Sequence, residues 1–226
     1  MGWASPACLA WGVLALLVAV WPRRLAGSAT LRERAGRQGE ARVSAELDRA
    51  GLPHVDDVTF VVGRTTVQVD HLVAVGDGLV ALEVKNLGGT ITTGQDGWWL
   101  QSIQGRRPRR FQDPILQVGW QARASSRAFG VPCRGLVVMV GRSRVDGGLP
   151  GGVVALGGLR GALCGPGASR RALAALARSR PGTGHAAGGL RRRHVRRVRA
   201  RYGGMARGEA WAVSGMVALG LAWLLR

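Results

Sequence analysis

The sequence predicts a mixed α/β fold, with a sheet flanked by helices and an apolar segment at each end of the chain. Three observations support this prediction. Strand-like apolar and alternating runs fill the middle of the chain, helical segments lie before and after them, and both chain ends are apolar. Because the elements follow the order α, several β, α, β, α, we expect a mixed sheet with helices packed on it.

The predicted elements have clear boundaries in the sequence. Glycine and proline end the first helix at Gly51-Leu52-Pro53, and Asp113 before Pro114 caps a later helix. Alternation of apolar and polar residues identifies most of the strands. The predicted helices lie over 27–50, 114 to about 129 and 168–179, and the strands over 58–62, 66–75, 79–86, 90–94, 98–103, 135–141 and 153–156.

The composition limits the classes of protein to which the chain can belong. A length of 226 residues and a hydrophobic content of 46% exclude a large multi-domain enzyme and a wholly disordered chain. Three scattered cysteines without a CxxC pair disfavour a disulfide framework and a cysteine-based zinc site. The net charge of +19, almost all from arginine, indicates anionic partners: nucleic acid, anionic membrane lipid, or both.

Each chain end predicts a transmembrane helix. Residues 1–22 carry no charge and are followed directly by Arg23 and Arg24; about 20 apolar residues cross a bilayer core of roughly 30 Å. A cleaved signal peptide is the alternative, but it needs its positive charge before the apolar run. Residues 210–226 form a shorter apolar segment, for which a buried core helix is the alternative. The positive-inside rule then predicts a two-pass protein of the cell membrane with a cytoplasmic middle domain.

We expect that middle domain to occupy residues 27–180 and to be followed by a basic linker rich in glycine and arginine over 181–209. The linker contains RRRHVRRVRARY at 191–202. This run is either a topology signal that contacts anionic headgroups or an arm that binds nucleic acid. A second basic segment can contact backbone phosphates; it consists of Arg106, Arg107, Arg109 and Arg110.

A hairpin brings three charged residues to one sheet face. Asp-Gly is a strong hairpin signal, so we expect a two-residue turn at Asp77 and Gly78, with facing residue numbers that sum to 155. Asp70 then faces Lys85, and Glu83 is diagonal to Asp70. The opposite face is apolar and carries His71, which we expect to be a hydrogen-bonded core histidine.

These three residues have the chemistry of phosphodiester hydrolysis. Asp70 and Glu83 can share a hard divalent cation, and Lys85 can orient the attacking water or stabilise negative charge. The alternative is a cross-strand ion pair on a solvated face. Two observations favour a site: the neighbours on that face are apolar, and Lys85 is the only lysine among 32 basic residues.

The spacing of Asp70 and Glu83-Val84-Lys85 resembles the PD-(D/E)xK nuclease signature. A longer ordered set of motifs is similar to the nuclease-related domain, NERD, over roughly residues 36–165. The matching positions are Gly36, Gly39-Glu40, Val43, Leu47, Val67-Gln68-Val69-Asp70-His71, Glu83-Val84-Lys85-Asn86, Gly89, Ile91, Gly94, Trp98, Asp113-Pro114-Ile115 and Gln117.

The resemblance implies a restriction-endonuclease-like core and descent from DNA nucleases that use Mg²⁺ (or Mn²⁺). It assigns metal binding to Asp70 and Glu83 and a catalytic role to Lys85. It makes Glu40 a further acidic ligand or water-orienting group and places Gln117 near the site; the alternatives are an exposed helix charge and a surface polar residue.

Together these inferences predict a membrane-anchored nuclease-related protein that hydrolyses DNA on the cytoplasmic side with a divalent metal. The alternative is a non-catalytic membrane scaffold whose nuclease-like domain binds nucleic acid or a protein partner. Trp98 and Trp99 are interpreted as packing residues of their hairpin rather than as stacking platforms for bases. The sequence leaves open the strandedness of the substrate and the choice between DNA and RNA.

Overall fold

The computed structural model describes residues 31–180, and over this part the predicted mixed α/β fold is confirmed. The predicted terminal helices (1–22 and 210–226) and the basic linker (181–209) lie outside the described residues. Between residues 31 and 180, no helix is both long and apolar enough to cross a membrane.

The helices and strands alternate along the chain largely as predicted. The helices are α1 (31–49), α2 (Pro114–Phe129), α3 (Leu159–Leu163, after a 3-10 turn at Leu156–Gly158) and α4 (Arg170–Ser179). The strands are β1 (His54–Val62), β2 (Thr65–Val75), β3 (Gly78–Lys85), β4 (Gly89–Thr93), β5 (Trp98–Ser102), β6 (Arg109–Gln112), β7 (Cys133–Met139), β8 (Ser143–Val145) and β9 (Val153–Ala155).

The described strands form two mixed sheets. The first has the order β1-β2-β3-β7-β9, in which β2 is antiparallel to both β1 and β3, and β7 is parallel to β9. The second has the order β6-β5-β4-β8, in which β5 is antiparallel to both β4 and β6, and β4 is parallel to β8. Strands β6 and β8 and helix α3 were not predicted from the sequence.

The fold divides into two compact units. Within the described residues, one unit contains α1, the whole second sheet and the segments Val84–Asp113 and Val137–Ala162. The other contains Gly51–Glu83, Pro114–Leu136 and helix α4, and therefore holds β1, β2 and most of β3.

Both faces of the β2–β3 hairpin are buried. Leu72 and Ala81, on the face of Asp70 and Glu83, are fully buried, and so is Val73 on the opposite face. Strands that are covered on both sides lack the polar, solvated face of an open sheet. The expectation that this face is covered is confirmed. By contrast β1, which forms an edge of its sheet, starts earlier than predicted and is mostly half-buried.

The predicted register of the hairpin is wrong by two residues. Val75 pairs with Gly78 and His71 with Leu82, so facing residue numbers sum to 153 and the turn residues are Gly76 and Asp77. Gly76 has a φ of 52°, which favours glycine. Gly78 instead begins β3. Glycine is required there because a Cβ at this position would lie 2.5 Å from the carbonyl oxygen of Pro132.

This correction leaves every side chain on its predicted face. Strand side chains alternate with a period of two, and the sum of facing numbers changes from 155 to 153, which is an even step. Asp70, Glu83 and Lys85 therefore keep a common face, but the residue across from each of them changes. Asp70 no longer faces Lys85.

Helix α1 lies directly against the end of β3 in the first unit. A Cβ on Gly39 would lie 2.9 Å from Cβ of Asn86 and 3.4 Å from Cγ1 of Val84. The Asn86 side-chain amide donates a 2.7 Å hydrogen bond to the carbonyl of Ala35 in the same helix. Gly39 thus permits the close approach, and Asn86 secures it.

Alanine at the two glycines of α1 should have opposite effects on stability. Gly39→Ala should lower the free energy of unfolding by about 1–3 kcal/mol, because the added methyl crowds Asn86. Gly36→Ala should raise it by up to about 1 kcal/mol, because alanine favours the helix, and the nearest atom to its new Cβ is Glu40 Oε1 at 4.0 Å. Chemical denaturation of both variants measures the difference; a stabilised Gly39→Ala protein would contradict the packing described for α1.

Candidate functional site

The two predicted metal-binding carboxylates occupy neighbouring positions on β2 and β3. The outermost pair that joins β2 to β3 is His71 with Leu82, and Asp70 and Glu83 are the next residues on the two strands. Residues at facing positions have Cβ atoms about 4.5–5.5 Å apart. In the corrected register Asp70 and Glu83 are at facing rather than diagonal strand positions.

Glu83 is a buried carboxylate held by a helix residue. It is 4% exposed, and its Oε2 accepts a 3.0 Å hydrogen bond from Nε2 of Gln121 on α2. The same amide nitrogen donates a 3.0 Å bond to the backbone carbonyl of Gln68 on β2. Gln121 thus ties one carboxylate oxygen of Glu83 to the neighbouring strand.

Gln121 was not predicted from the sequence, which pointed to Gln117 one turn earlier. Gln117 is half-buried on the same helix. Gln121 is 4% exposed, and within the described part of the chain its Oε1 has no hydrogen-bond partner although it is buried. A buried amide oxygen without a donor costs free energy, and it is available to a water or a cation beside Glu83.

A third carboxylate belongs to the same row of strand positions. Asp57 lies between Asp56, which pairs with His71, and Val58, which pairs with Val69, so it occupies the position across from Asp70. Its side chain accepts a 2.7 Å hydrogen bond from the amide of Gln68. Its φ of 49° falls in the left-handed region, where residues other than glycine are uncommon and often functional.

Lys85 follows Glu83 by two residues on β3, so strand alternation gives the two side chains the same face. Lys85 is half-buried, and its backbone carbonyl accepts a 3.0 Å hydrogen bond from the amide of Val140 in the first unit. Glu40, in helix α1 of that unit, is also half-buried and follows Gly39, whose contacts are with Val84 and Asn86. The catalytic roles of Lys85 and Glu40 stay predictions.

His71 is the core histidine that the sequence predicted. It is fully buried, and its Nδ1 lies 2.7 Å from Oδ1 of Asp56. Its ring faces away from Asp70, because the two residues are adjacent on β2. His71 is therefore a structural residue on the apolar face.

The arrangement fits a hard cation that takes few protein ligands. Among residues 31–180, no three histidine, cysteine, aspartate or glutamate side chains are grouped to hold a metal ion. Mg²⁺ commonly binds through one or two carboxylates and fills its remaining positions with water and phosphate oxygens. Asp70 and Glu83 meet that requirement. Burial raises the pKa of the Cys133 thiol to about 11, so this thiol is protonated at neutral pH.

The predicted basic segment is divided between a connection and strand β6. Arg106 and Arg107 precede the strand, Arg109 and Arg110 lie in it, and all four are exposed. Arg110 forms an ion pair with Asp96. The guanidinium of Arg109 lies 5.8 Å from the ring centroid of Phe111. Although Arg109 is exposed as a whole residue, neighbouring atoms partly desolvate its guanidinium and lower its pKa, and the positive charge of Arg32 lowers the pKa further.

Removing the Gln121 amide should destabilise the protein. Gln121→Ala leaves the buried carboxylate of Glu83 without this donor, so we expect the free energy of unfolding to fall by about 1–3 kcal/mol. Arg123→Ala, at an exposed position of the same helix, is the matched control and should change it by less than about 0.5 kcal/mol. Chemical denaturation distinguishes the two. Equal stability of both variants would show that the Glu83–Gln121 bond contributes nothing.

Comparison with known proteins identifies the segment that holds these residues. Residues 35–140 match the family model described as the nuclease-related domain, NERD. No curated protein and no solved structure matches the chain. The predicted resemblance is therefore confirmed, over a segment that ends earlier than expected. Residues 35–140 are therefore similar to the nuclease-related domain family, consistent with the PD-(D/E)xK nuclease-like superfamily and with a nuclease-like or nucleic-acid-binding function.

Proposed function

We propose that the nuclease-related domain hydrolyses phosphodiester bonds of DNA with Mg²⁺ or Mn²⁺ bound at Asp70 and Glu83. The observation that carries this proposal is the position of these two carboxylates, side by side on β2 and β3, with Glu83 buried and held by Gln121. Like charges at facing strand positions repel each other. A divalent cation bound by both carboxylates would offset this repulsion, because each carboxylate is attracted to the cation.

Each residue then has a distinct role. When bound, the cation supplies a water of lowered pKa and neutralises charge on a phosphate oxygen. Asp70 and Glu83 hold it, and Gln121 fixes the orientation of the Glu83 carboxylate. Lys85 orients the attacking water or stabilises the negative charge that develops on the phosphate. Glu40 and Gln117 remain candidates for a further acidic group and a polar residue near the reacting phosphate.

The basic residues supply the affinity for the nucleic acid. Arg106 and Arg107 are exposed in the connection before β6 and can contact phosphates without reading sequence. The net charge of +19 also raises the affinity for anionic nucleic acid. We expect binding that weakens steeply as the salt concentration rises.

We further propose that the protein is anchored in the cell membrane, with this domain on the cytoplasmic side. The support is sequence alone: apolar segments at 1–22 and 210–226, uncharged except for the terminal Arg226, and each bordered by arginine on its domain side. The run at 191–202 would then contact anionic membrane lipid.

A non-catalytic scaffold is the second candidate function. Glu83 is almost fully buried and already accepts a hydrogen bond from Gln121, and a buried, hydrogen-bonded carboxylate can be purely structural. On this view the domain binds nucleic acid or a protein partner and leaves it intact.

A nuclease assay of the purified protein distinguishes the two candidates. With Mg²⁺ or Mn²⁺ the wild type should cut DNA, and Asp70→Ala and Lys85→Ala should each lower the rate at least about 100-fold. Asp77→Ala removes a carboxylate from the exposed turn of the same hairpin and should cut like the wild type. Binding without cutting by all four proteins would favour the scaffold, and equal cutting by all four would exclude these residues from catalysis.

Membrane topology has a separate test. A reporter fused after Arg24 should show cytoplasmic activity, because the arginines next to the first apolar segment favour the inner side. Activity of the fusion on the outer side of the membrane would reverse the proposed orientation. Release of the protein from membranes by salt alone would argue against spanning helices.

A further inference from the structure

We infer that the second sheet binds single-stranded nucleic acid on its open face, with a base stacked on Trp98. This inference rests on the proposed function and deepens it, because it names the strandedness that the acidic site alone leaves undefined. The open face is defined by five residues from four strands: Thr92, Trp98, Leu100, Arg110 and Arg144.

The strand pairing separates this face from the packed one. Leu100 faces Thr92 on one side and Arg110 on the other, so these three residues form a row across β4, β5 and β6. Trp98 is two residues from Leu100 and shares its face. The other face carries Ile91, Trp99 and Gln101, which are all buried. Only one side of the sheet is therefore open to a partner.

The two tryptophans of β5 have different environments. Trp99 is 1% exposed and its ring lies edge-on to Phe111 at 6.1 Å, so the prediction that it is a packing residue is confirmed. Trp98 is 38% exposed. An exposed indole offers a flat surface on which an unpaired base can stack, whatever its identity.

Arg110 holds this indole in place and puts a positive charge beside it. Its guanidinium carbon lies over the Trp98 ring, 5.5 Å from the centroid, as expected for a diagonal cross-strand pair. Arg110 therefore covers one face of the indole, and a base would stack on the other. Asp96 in the β4–β5 turn pairs with Arg110, and its carboxylate also accepts a 3.2 Å hydrogen bond from the backbone amide of Trp98. The Trp98 indole is therefore held in position by Arg110 and Asp96 without a bound nucleic acid.

The charge around the platform fits a phosphate backbone. Arg106 and Arg107 lie in the connection between β5 and β6, and Arg144 extends from β8 on the far side of the sheet. Arg144 is aligned with Thr90, which pairs with Ser102, so these three arginines lie toward the end of β5 opposite Trp98, while Arg110 lies next to Trp98. A strand that stacks a base on Trp98 can therefore run along β5 toward them. Stacking needs a base that is not already stacked within a duplex, so the platform favours a single strand.

Binding of a fluorescent thymidine oligonucleotide and of a hairpin duplex with the same number of phosphates tests this inference. The assay uses the full chain in EDTA at fixed salt, so that no cutting occurs. Trp98→Ala should raise the Kd for the single strand about 5- to 100-fold and leave the Kd for the duplex unchanged. Trp98→Phe should retain most of the affinity. Trp120→Ala is the matched control, since Trp120 is 43% exposed on α2.

Three results would overturn the inference: an unchanged single-strand Kd in Trp98→Ala, equal loss for strand and duplex, or a loss of the same size in Trp120→Ala. Thermal unfolding of Trp98→Phe and Trp98→Ala shows whether each variant is folded, and a folded Trp98→Phe protein that binds like Trp98→Ala would also contradict it. A wild type that binds the single strand through Trp98 in EDTA but does not cut DNA with Mg²⁺ would contradict the catalytic proposal alone. A wild type that cuts DNA but whose single-strand Kd is unchanged in Trp98→Ala would contradict this inference alone.

Discussion

The pairing of β2 with β3 sets the strand positions of Asp70 and Glu83, the two proposed metal ligands, relative to each other. It depends on a backbone contact, in which the amide of Leu79 donates a 2.9 Å hydrogen bond to the carbonyl of Pro132. Gly78 makes that approach possible, because any Cβ at this position would collide with the same carbonyl. The start of β3 is fixed there, and with it the residue that lies across from Asp70. A contact several residues from the carboxylates thus sets the spacing between them.

The faces of this hairpin could be predicted from the sequence, whereas its register could not. Alternation has a period of two, so the apolar pattern alone sorts Asp70 and Glu83 onto one side. Gly76-Asp77-Gly78 contains a glycine on either side of the aspartate, and each allows a two-residue turn. The contact of Gly78 with Pro132 favours the turn at Gly76 and Asp77. Because Pro132 is more than 50 residues away in the sequence, the local pattern does not predict this contact.

The sequence of helix α2 contains a pattern that predicts its buried polar residue. Val118, Gln121, Ala122 and Ser125 recur at helical spacing and are all buried, and a glutamine on an apolar stripe needs a polar partner. That reasoning identifies Gln121 without coordinates, although it does not identify Glu83 as the partner. Strand β6 is different: its arginines suggested a solvated basic segment, and only Phe111, packed on Trp99, marks it as part of a sheet.

The left-handed backbone at Asp57 has a consequence for how this domain can vary. Most side chains are strained at a φ of 49°, whereas glycine, asparagine and aspartate tolerate it. Substitution during evolution is thereby narrowed to these three residue types. Of the three, glycine has no side chain to accept the hydrogen bond from Gln68. Only aspartate and asparagine therefore keep both the backbone conformation and this hydrogen bond. An exchange between these two would alter the charge of the row that includes Asp70 while leaving its backbone untouched.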